Sequence, residues 1–227
     1  MVRIFITTAA LAVLLLAANF VVGLLGGDFN AAARAKHEAH VGLIDAERQA
    51  KVGNATPEKL DQARQQAQKA DQEFTQPRSR MTLHMLLGAT AALATVLVSS
   101  ITITYFVGTS RWCKEVCETY QLDPRLAEAG AVLKRSTFPW ALAGSFAIII
   151  VVGLGAAADP SGANWSRSAQ FVLPHYLGAM VAIVIVLLSF WVQFTRIAEN
   201  ASVIQRILSE VDRVRTEKGL EVASVAK

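Results

Sequence analysis

Four stretches without a single Asp, Glu, Lys or Arg constrain this chain more than anything else in it: residues 4–26, 81–107, 138–158 and 171–194. The hydrocarbon core of a bilayer takes about 20 apolar residues as a helix, and each stretch reaches that length. The pattern predicts an all-α integral membrane protein with four transmembrane helices. It also narrows the chemistry, because proton- and ion-coupled transport inside a membrane relies on ionisable groups, and these spans carry none apart from two histidines.

The expected organisation follows from where the charges fall. Transmembrane helix 1 occupies 1–27, an outer (periplasmic) helical hairpin 28–80, and transmembrane helix 2 81–107. A cytoplasmic helical loop covers 108–137, transmembrane helix 3 138–158, a short outer loop 159–170, transmembrane helix 4 171–195, and a cytoplasmic helical tail 196–227. A secretory apolar region is usually ~7–15 residues. The first apolar run is longer, so it is expected to stay as a signal anchor. Basic residues favour the cytoplasmic flanks of spans. Arg3, Arg111, Lys114, Lys134, Arg135 and Arg196 flank spans on one side. The basic residues of the other side, Arg34, Lys36, Arg78, Arg80 and Arg167, sit largely within an acid-balanced segment. The expectation is a multi-pass protein of the bacterial inner membrane with both termini in the cytoplasm. Trp112, Trp140, Trp165 and Trp191 all fall near predicted interfaces, where indoles anchor. The net charge of +4 reads as this topological bias, and nucleic acid is not an expected partner.

The hairpin follows from periodicity. Ala32, Ala35, Ala39, Leu43, Ala46 and Ala50 share one helical face, as do Leu60, Ala63, Ala67, Ala70 and Phe74. Gly53-Asn54 closes the first helix, Thr56-Pro57 opens the second, and Pro77 is expected to separate the hairpin from the next span. On the other side, 124–135 is expected as a short helix of its own, with Pro139 in the first turn of the third span. Ile197, Ile204, Ile207, Leu208, Val211 and Val214 form a stripe expected to pack on the chain's own 110–135 region. No internal repeat is evident.

Chemistry-bearing residues are few. Cys113 and Cys117 stand one helical turn apart but lack the further ligands of a structural zinc site, and two inert thiols are expected. Asn19 is expected to bond another helix. Asn54, Asn164 and Asn200 each match the glycosylation pattern, with Asn200 on the expected inner side. No GxSxG, P-loop, HExxH or dinucleotide fingerprint occurs, and no enzyme activity is expected.

All four histidines lie on the expected outer side. His84 shares a helical face with Gly88, Ala91, Ala92, Thr95, Ser99 and Thr102. His175 shares one with Gly178, Ala179, Ala182 and Ser189. Small and hydroxyl residues mark helix-contact faces in membranes, so Gly88, Ala91, Ala92, Gly178 and Ala182 are expected packing positions and both imidazoles should point inward. Two facing imidazoles are the ligand set of haem b. His37 and His40, with Glu38, are candidates for a metal site. The leading expectation is nevertheless a structural or assembly subunit that carries no cofactor and meets the lipid bilayer and other membrane subunits. A haem-binding or quinone-associated redox anchor using His84 and His175 is the alternative, and a membrane sensor is a third. For topology, a cysteine placed at Gln66 should react with an impermeant reagent on intact cells, whereas the native Cys113 should not; the reverse pattern would invert the assignment.

Overall fold

The computed structural model describes residues 1–161 and 165–220. Residues 162–164, which include Asn164 of one glycosylation pattern, and 221–227 at the end of the tail lie outside the described residues. Five α-helices account for nearly all the rest: α1 (Val2–Leu24), α2 (Phe29–Lys51), α3 (Pro57–Tyr120), α4 (Pro124–Ala158) and α5 (Ser168–Glu217), with a 3-10 turn at Trp165–Arg167. No strand occurs among the described residues. α1, α3, α4 and α5 are each long and apolar enough to cross a membrane.

Local chemistry sets the breaks. The Asp28 carboxylate accepts from the Ala31 N–H at 2.9 Å and caps α2. After α2, Gly53 takes φ +76, a conformation costly for residues with a Cβ, and the Asn54 N–H returns to the Gln49 carbonyl at 2.9 Å. α3 ends where Gln121 takes φ 53, and the Asp123 carboxylate caps the Arg125 N–H at 2.9 Å to start α4. The prolines behave differently from expectation. Pro77 lies inside α3 and Pro139 inside α4, so hairpin and span, and short helix and span, are each one continuous helix. A proline removes one i→i−4 bond and bends a helix, but intact turns on both sides keep these two helices running.

The chain divides into two compact units. A histidine unit holds Leu14–Ala91 and Ile150–Met180, and a cysteine unit holds Met1–Val13, Ala92–Ile149 and Val181–Lys227. Within the histidine unit α2 lies against the start of α3. The Phe29 and Phe74 rings stack with centroids 5.4 Å apart, and Asp71 pairs with Lys36 at 2.9 Å and His40 at 3.0 Å. Asn30, which is buried, donates to the Ala158 carbonyl at 3.1 Å and accepts from Ser168 Oγ at 2.7 Å. That pair fastens α2 to the adjoining ends of α4 and α5.

Within the cysteine unit, α4 and α5 meet at Gly144, where an added Cβ would lie 2.9 Å from Ser189 Oγ. That hydroxyl donates to the Trp140 carbonyl at 2.7 Å. Asn200 donates to the Tyr105 hydroxyl and to Thr109 Oγ1, both at 3.0 Å. Cys113, Cys117, Leu122, Ile207 and Val211 form a buried cluster flanked by Val203, Ile204 and Val214. The apolar stripe of the tail therefore packs on this chain's own α3.

Burial reveals a pattern that residue identity hides. Between residues 91 and 106 the buried positions of α3 are Ala91, Thr95, Val98, Ser99, Thr102 and Phe106; between 182 and 197 those of α5 are Ala182, Val186, Ser189, Phe190, Gln193 and Ile197. The intervals are the same. In α1 the buried set is Phe5, Ala9, Ala12 and Leu16, and between residues 137 and 148 of α4 it is Thr137, Ala141, Gly144 and Ile148, again at equal intervals. Helix pair α1/α3 and helix pair α4/α5 are thus built on one template. In register with it, His84 corresponds to His175, Asn19 to Val151 and Gly23 to Gly155.

Cys113 is wholly buried, so Lys114, whose side chain is 71% exposed, is the better position for the unlabelled arm of the topology experiment. For packing, an added Cβ at Gly88 would meet Asn19 Nδ2 at 3.2 Å, whereas Leu97 is 55% exposed. Gly88→Leu should cost about 1–3 kcal/mol by overpacking, and Leu97→Ala should cost less. Thermal stability in detergent checks the order; the opposite ranking would show that Gly88 does not sit at a close helix contact.

Candidate functional site

The histidine unit brings the two span histidines together. His84 projects from α3 and His175 from α5, and their ring centroids lie 6.2 Å apart with the planes at 79°. Neither ring is free to turn. His84 Nδ1 is 3.2 Å from the Asn19 carbonyl of α1, and His175 Nδ1 is 3.2 Å from the Val151 carbonyl of α4. One turn beyond each carbonyl stands a glycine. A Cβ added at Gly23 would lie 2.9 Å from His84 Cε1, and one at Gly155 would lie 3.0 Å from His175 Cε1. Each imidazole therefore comes close to a helix that has no side chain at that point. The same construction occurs twice, once in each helix pair.

This arrangement assigns the ring protons. A carbonyl oxygen only accepts, so a hydrogen bond there places the proton on Nδ1 and leaves a lone pair on Nε2. Metal-ligating histidines characteristically donate their other ring N–H to a carbonyl or carboxylate. Two imidazoles on opposite sides of one metal, at about 2 Å per nitrogen, have centroids roughly 6 Å apart. The observed 6.2 Å equals that span and also lies within the roughly 4.5–7 Å of ordinary aromatic ring contacts.

The donor set also bears on which ligand fits. Among the described residues no group of three or more His, Cys, Asp or Glu side chains converges to hold a metal ion. Two imidazoles leave a bare ion underligated, since a protein zinc site uses at least three side chains. Around the pair, Phe20 and Tyr176 stack with centroids 6.3 Å apart, and an added Cβ at Gly178 would meet Leu154 at 2.9 Å. The surroundings are apolar and close-packed, apart from Asn19, whose Oδ1 is buried without a partner. The helix-to-helix bond expected of the Asn19 side chain is carried instead by its main-chain carbonyl.

The other candidates are placed elsewhere in the same unit. His37 lies against Trp165, ring centroids 4.4 Å apart, and His40 is bound to Asp71. The two rings thus have different neighbours. Ala91 and Ala182 are buried and Ala92 is half-buried. In the cysteine unit burial pushes the Cys113 and Cys117 thiols up from their ordinary pKa, away from the reactive thiolate. Sequence reasoning missed Gly23, Gly155 and the two carbonyl acceptors. No signal in residue identity pointed to them.

In comparisons with protein-family models, curated proteins and solved structures, nothing matches the chain.

Asp71 gives the site's outer neighbourhood a pH dependence. Hydrogen bonds from Lys36, and then from His40, hold its carboxyl below the ordinary carboxylate pKa. Its contribution to stability is therefore full above the ordinary value of about 4 and is lost as pH falls through the lowered one. Asp71→Asn should lower hydrogen-exchange protection of α2 at neutral pH, and the wild type should converge on the variant as pH drops through that window. Equal protection at neutral pH would show that the clip does not hold the hairpin.

Proposed function

We propose that this chain is a membrane-embedded redox subunit that carries one b-type haem between His84 and His175. A single observation supports the reading most. Both imidazoles donate an Nδ1–H to main-chain carbonyls of different helices, and their ring centroids lie 6.2 Å apart, a spacing that two nitrogen ligands of one iron would also have. The haem would supply one-electron chemistry. The protein's part would be to hold it through His84 and His175, exclude water, and keep it within the apolar spans. No substrate-transforming residue is needed, so the subunit is an electron carrier and not an enzyme in its own right.

In this reading the chain lies in a bacterial inner membrane with both termini and the 108–137 segment in the cytoplasm, which puts the histidine pair toward the outer face. The basic flanks of the short loop and the tryptophans near the span ends support that orientation. A carrier needs a donor and an acceptor, so further membrane subunits are its expected partners. Exposed apolar side chains along the spans, such as Leu93, Ile150 and Leu188, suit lipid and neighbouring helices alike.

The visible spectrum tests the proposal. The chain purified in mild detergent with its partners should show a Soret band and a sharp reduced α-band, with one haem per chain. His84→Ala and His175→Ala should each abolish the bis-imidazole spectrum. A colourless preparation free of iron would overturn the redox reading. The two rings would then be a packing contact, in a subunit that serves assembly alone.

A further inference from the structure

Where α3 leaves its apolar stretch and α4 approaches its own, the two helices of the cysteine unit border a cleft of about 710 Å³. That volume falls within the roughly 300–1,000 Å³ of small-ligand sites. Lys114 and Glu118 of α3 and Glu128 and Lys134 of α4 line it, over an apolar wall that includes Cys117 and Ala127. The charges are ordered. Both lysines lie toward the charge-free spans, and both glutamates lie toward the turn that joins the helices. At 1.5 Å per residue, Lys114 stands about 6 Å nearer its span than Glu118, and Lys134 about 9 Å nearer than Glu128. Ser110, which is buried, adds a hydroxyl at the span end of the same cleft. Lys134 is half-buried, and among the described residues neither it nor Glu128 has an ion-pair partner. Lys114 and Glu118 are 3.8 Å apart with side chains 71% and 67% exposed, and so weak a surface pair is readily exchanged for other partners.

We propose that this cleft binds the headgroup of a phosphoethanolamine phospholipid taken from the bilayer around the spans. In such a lipid the phosphate sits next to the acyl chains, and the ammonium lies two carbons further out. The cleft repeats that order, with cations at its span end and carboxylates beyond them. Lys114, Lys134 and the Ser110 hydroxyl donate to the phosphate oxygens, and Glu118 and Glu128 accept from the ammonium, each as a charge-assisted hydrogen bond. The acyl chains run on past Val107 and Leu142, apolar side chains that are exposed on the same two helices. The balance of two cations and two carboxylates selects among headgroups. A purely anionic headgroup leaves both carboxylates facing it without a partner. A choline headgroup carries a positive charge but has no N–H to donate.

The full chain, purified in mild detergent and stripped of lipid, can be titrated with phosphatidylethanolamine, phosphatidylcholine and phosphatidylglycerol of identical acyl chains, with bound lipid read by native mass spectrometry. Phosphatidylethanolamine should bind about tenfold more tightly than either of the others, the difference expected for one charge-assisted hydrogen bond. This comparison uses the wild type and depends on no variant folding. Lys134→Gln should weaken all three lipids, because each carries the phosphate. The double variant Glu118→Gln, Glu128→Gln should lose the preference for ethanolamine over choline while keeping phosphatidylglycerol at least as tightly as the wild type does. Both glutamates are exposed, so the variant's thermal midpoint without lipid should match the wild type. Equal binding of the ethanolamine and choline lipids by the wild type overturns the proposal, as does binding of none. Tighter binding of phosphatidylglycerol overturns it in favour of a simple basic anchor. A double variant that keeps the ethanolamine preference shows that the headgroup binds elsewhere and overturns the assignment to this cleft.

Discussion

Hydrocarbon offers a polar atom no partner, so each polar group in a span must find one within the protein or remain unpaired at a cost of about 1–3 kcal/mol. Much of the structure can be read as a response to that rule. Thr90, Ser100, Thr102 and Ser145 turn their hydroxyls back onto carbonyls four residues earlier in their own helices. Ser189 instead reaches the Trp140 carbonyl of a neighbour, which is possible because Gly144 lets the two helices close up. The histidines follow the same logic with a different remainder. One imidazole nitrogen is satisfied by a neighbouring carbonyl, and the other keeps its lone pair.

Much of the fold was legible because hydropathy and helical period are local properties. The four charge-free stretches define where the long helices are apolar, and Asp28, Gly53 and Thr56 mark their breaks by short-range chemistry. The prolines were misjudged because their effect depends on context. Proline is a strong local stop signal, yet Pro77 and Pro139 sit between well-formed turns that carry the helix past one missing bond. The inward faces of His84 and His175 were also legible, since small residues recur at helical spacing around each. What each ring touches was not. A main-chain carbonyl leaves no trace in residue identity, and Gly23 looks like any other small residue in an apolar run until a facing helix is placed against it.

The duplicated template was hidden for a related reason. Equivalent positions carry different side chains: Ala91 and Ala182 agree, but Thr102 pairs with Gln193, Phe106 with Ile197 and Asn19 with Val151. The long α2 hairpin separates one helix pair, while the other is joined by a short connection, so the repeat has no fixed period along the chain. Burial preserves what identity has lost, because the contact geometry of two antiparallel helices constrains which positions face inward more tightly than it constrains which residue fills them.

Equivalent residues of the two helix pairs also meet each other. In the histidine unit His84 meets His175; in the cysteine unit Thr109 accepts a hydrogen bond from its counterpart Asn200. Residues meet their own counterparts in this way at the axis of a two-fold interface, as in a symmetric dimer. The histidine pair presents two like halves, each an imidazole backed by a carbonyl and a glycine. The departures from symmetry then become informative. Asn19 places an amide with an unpartnered oxygen beside one imidazole, where the other has Val151. The two imidazole surroundings are alike in geometry and unlike in polarity. The single polar side of the site is the one on α1, in the helix pair that also carries the α2 hairpin.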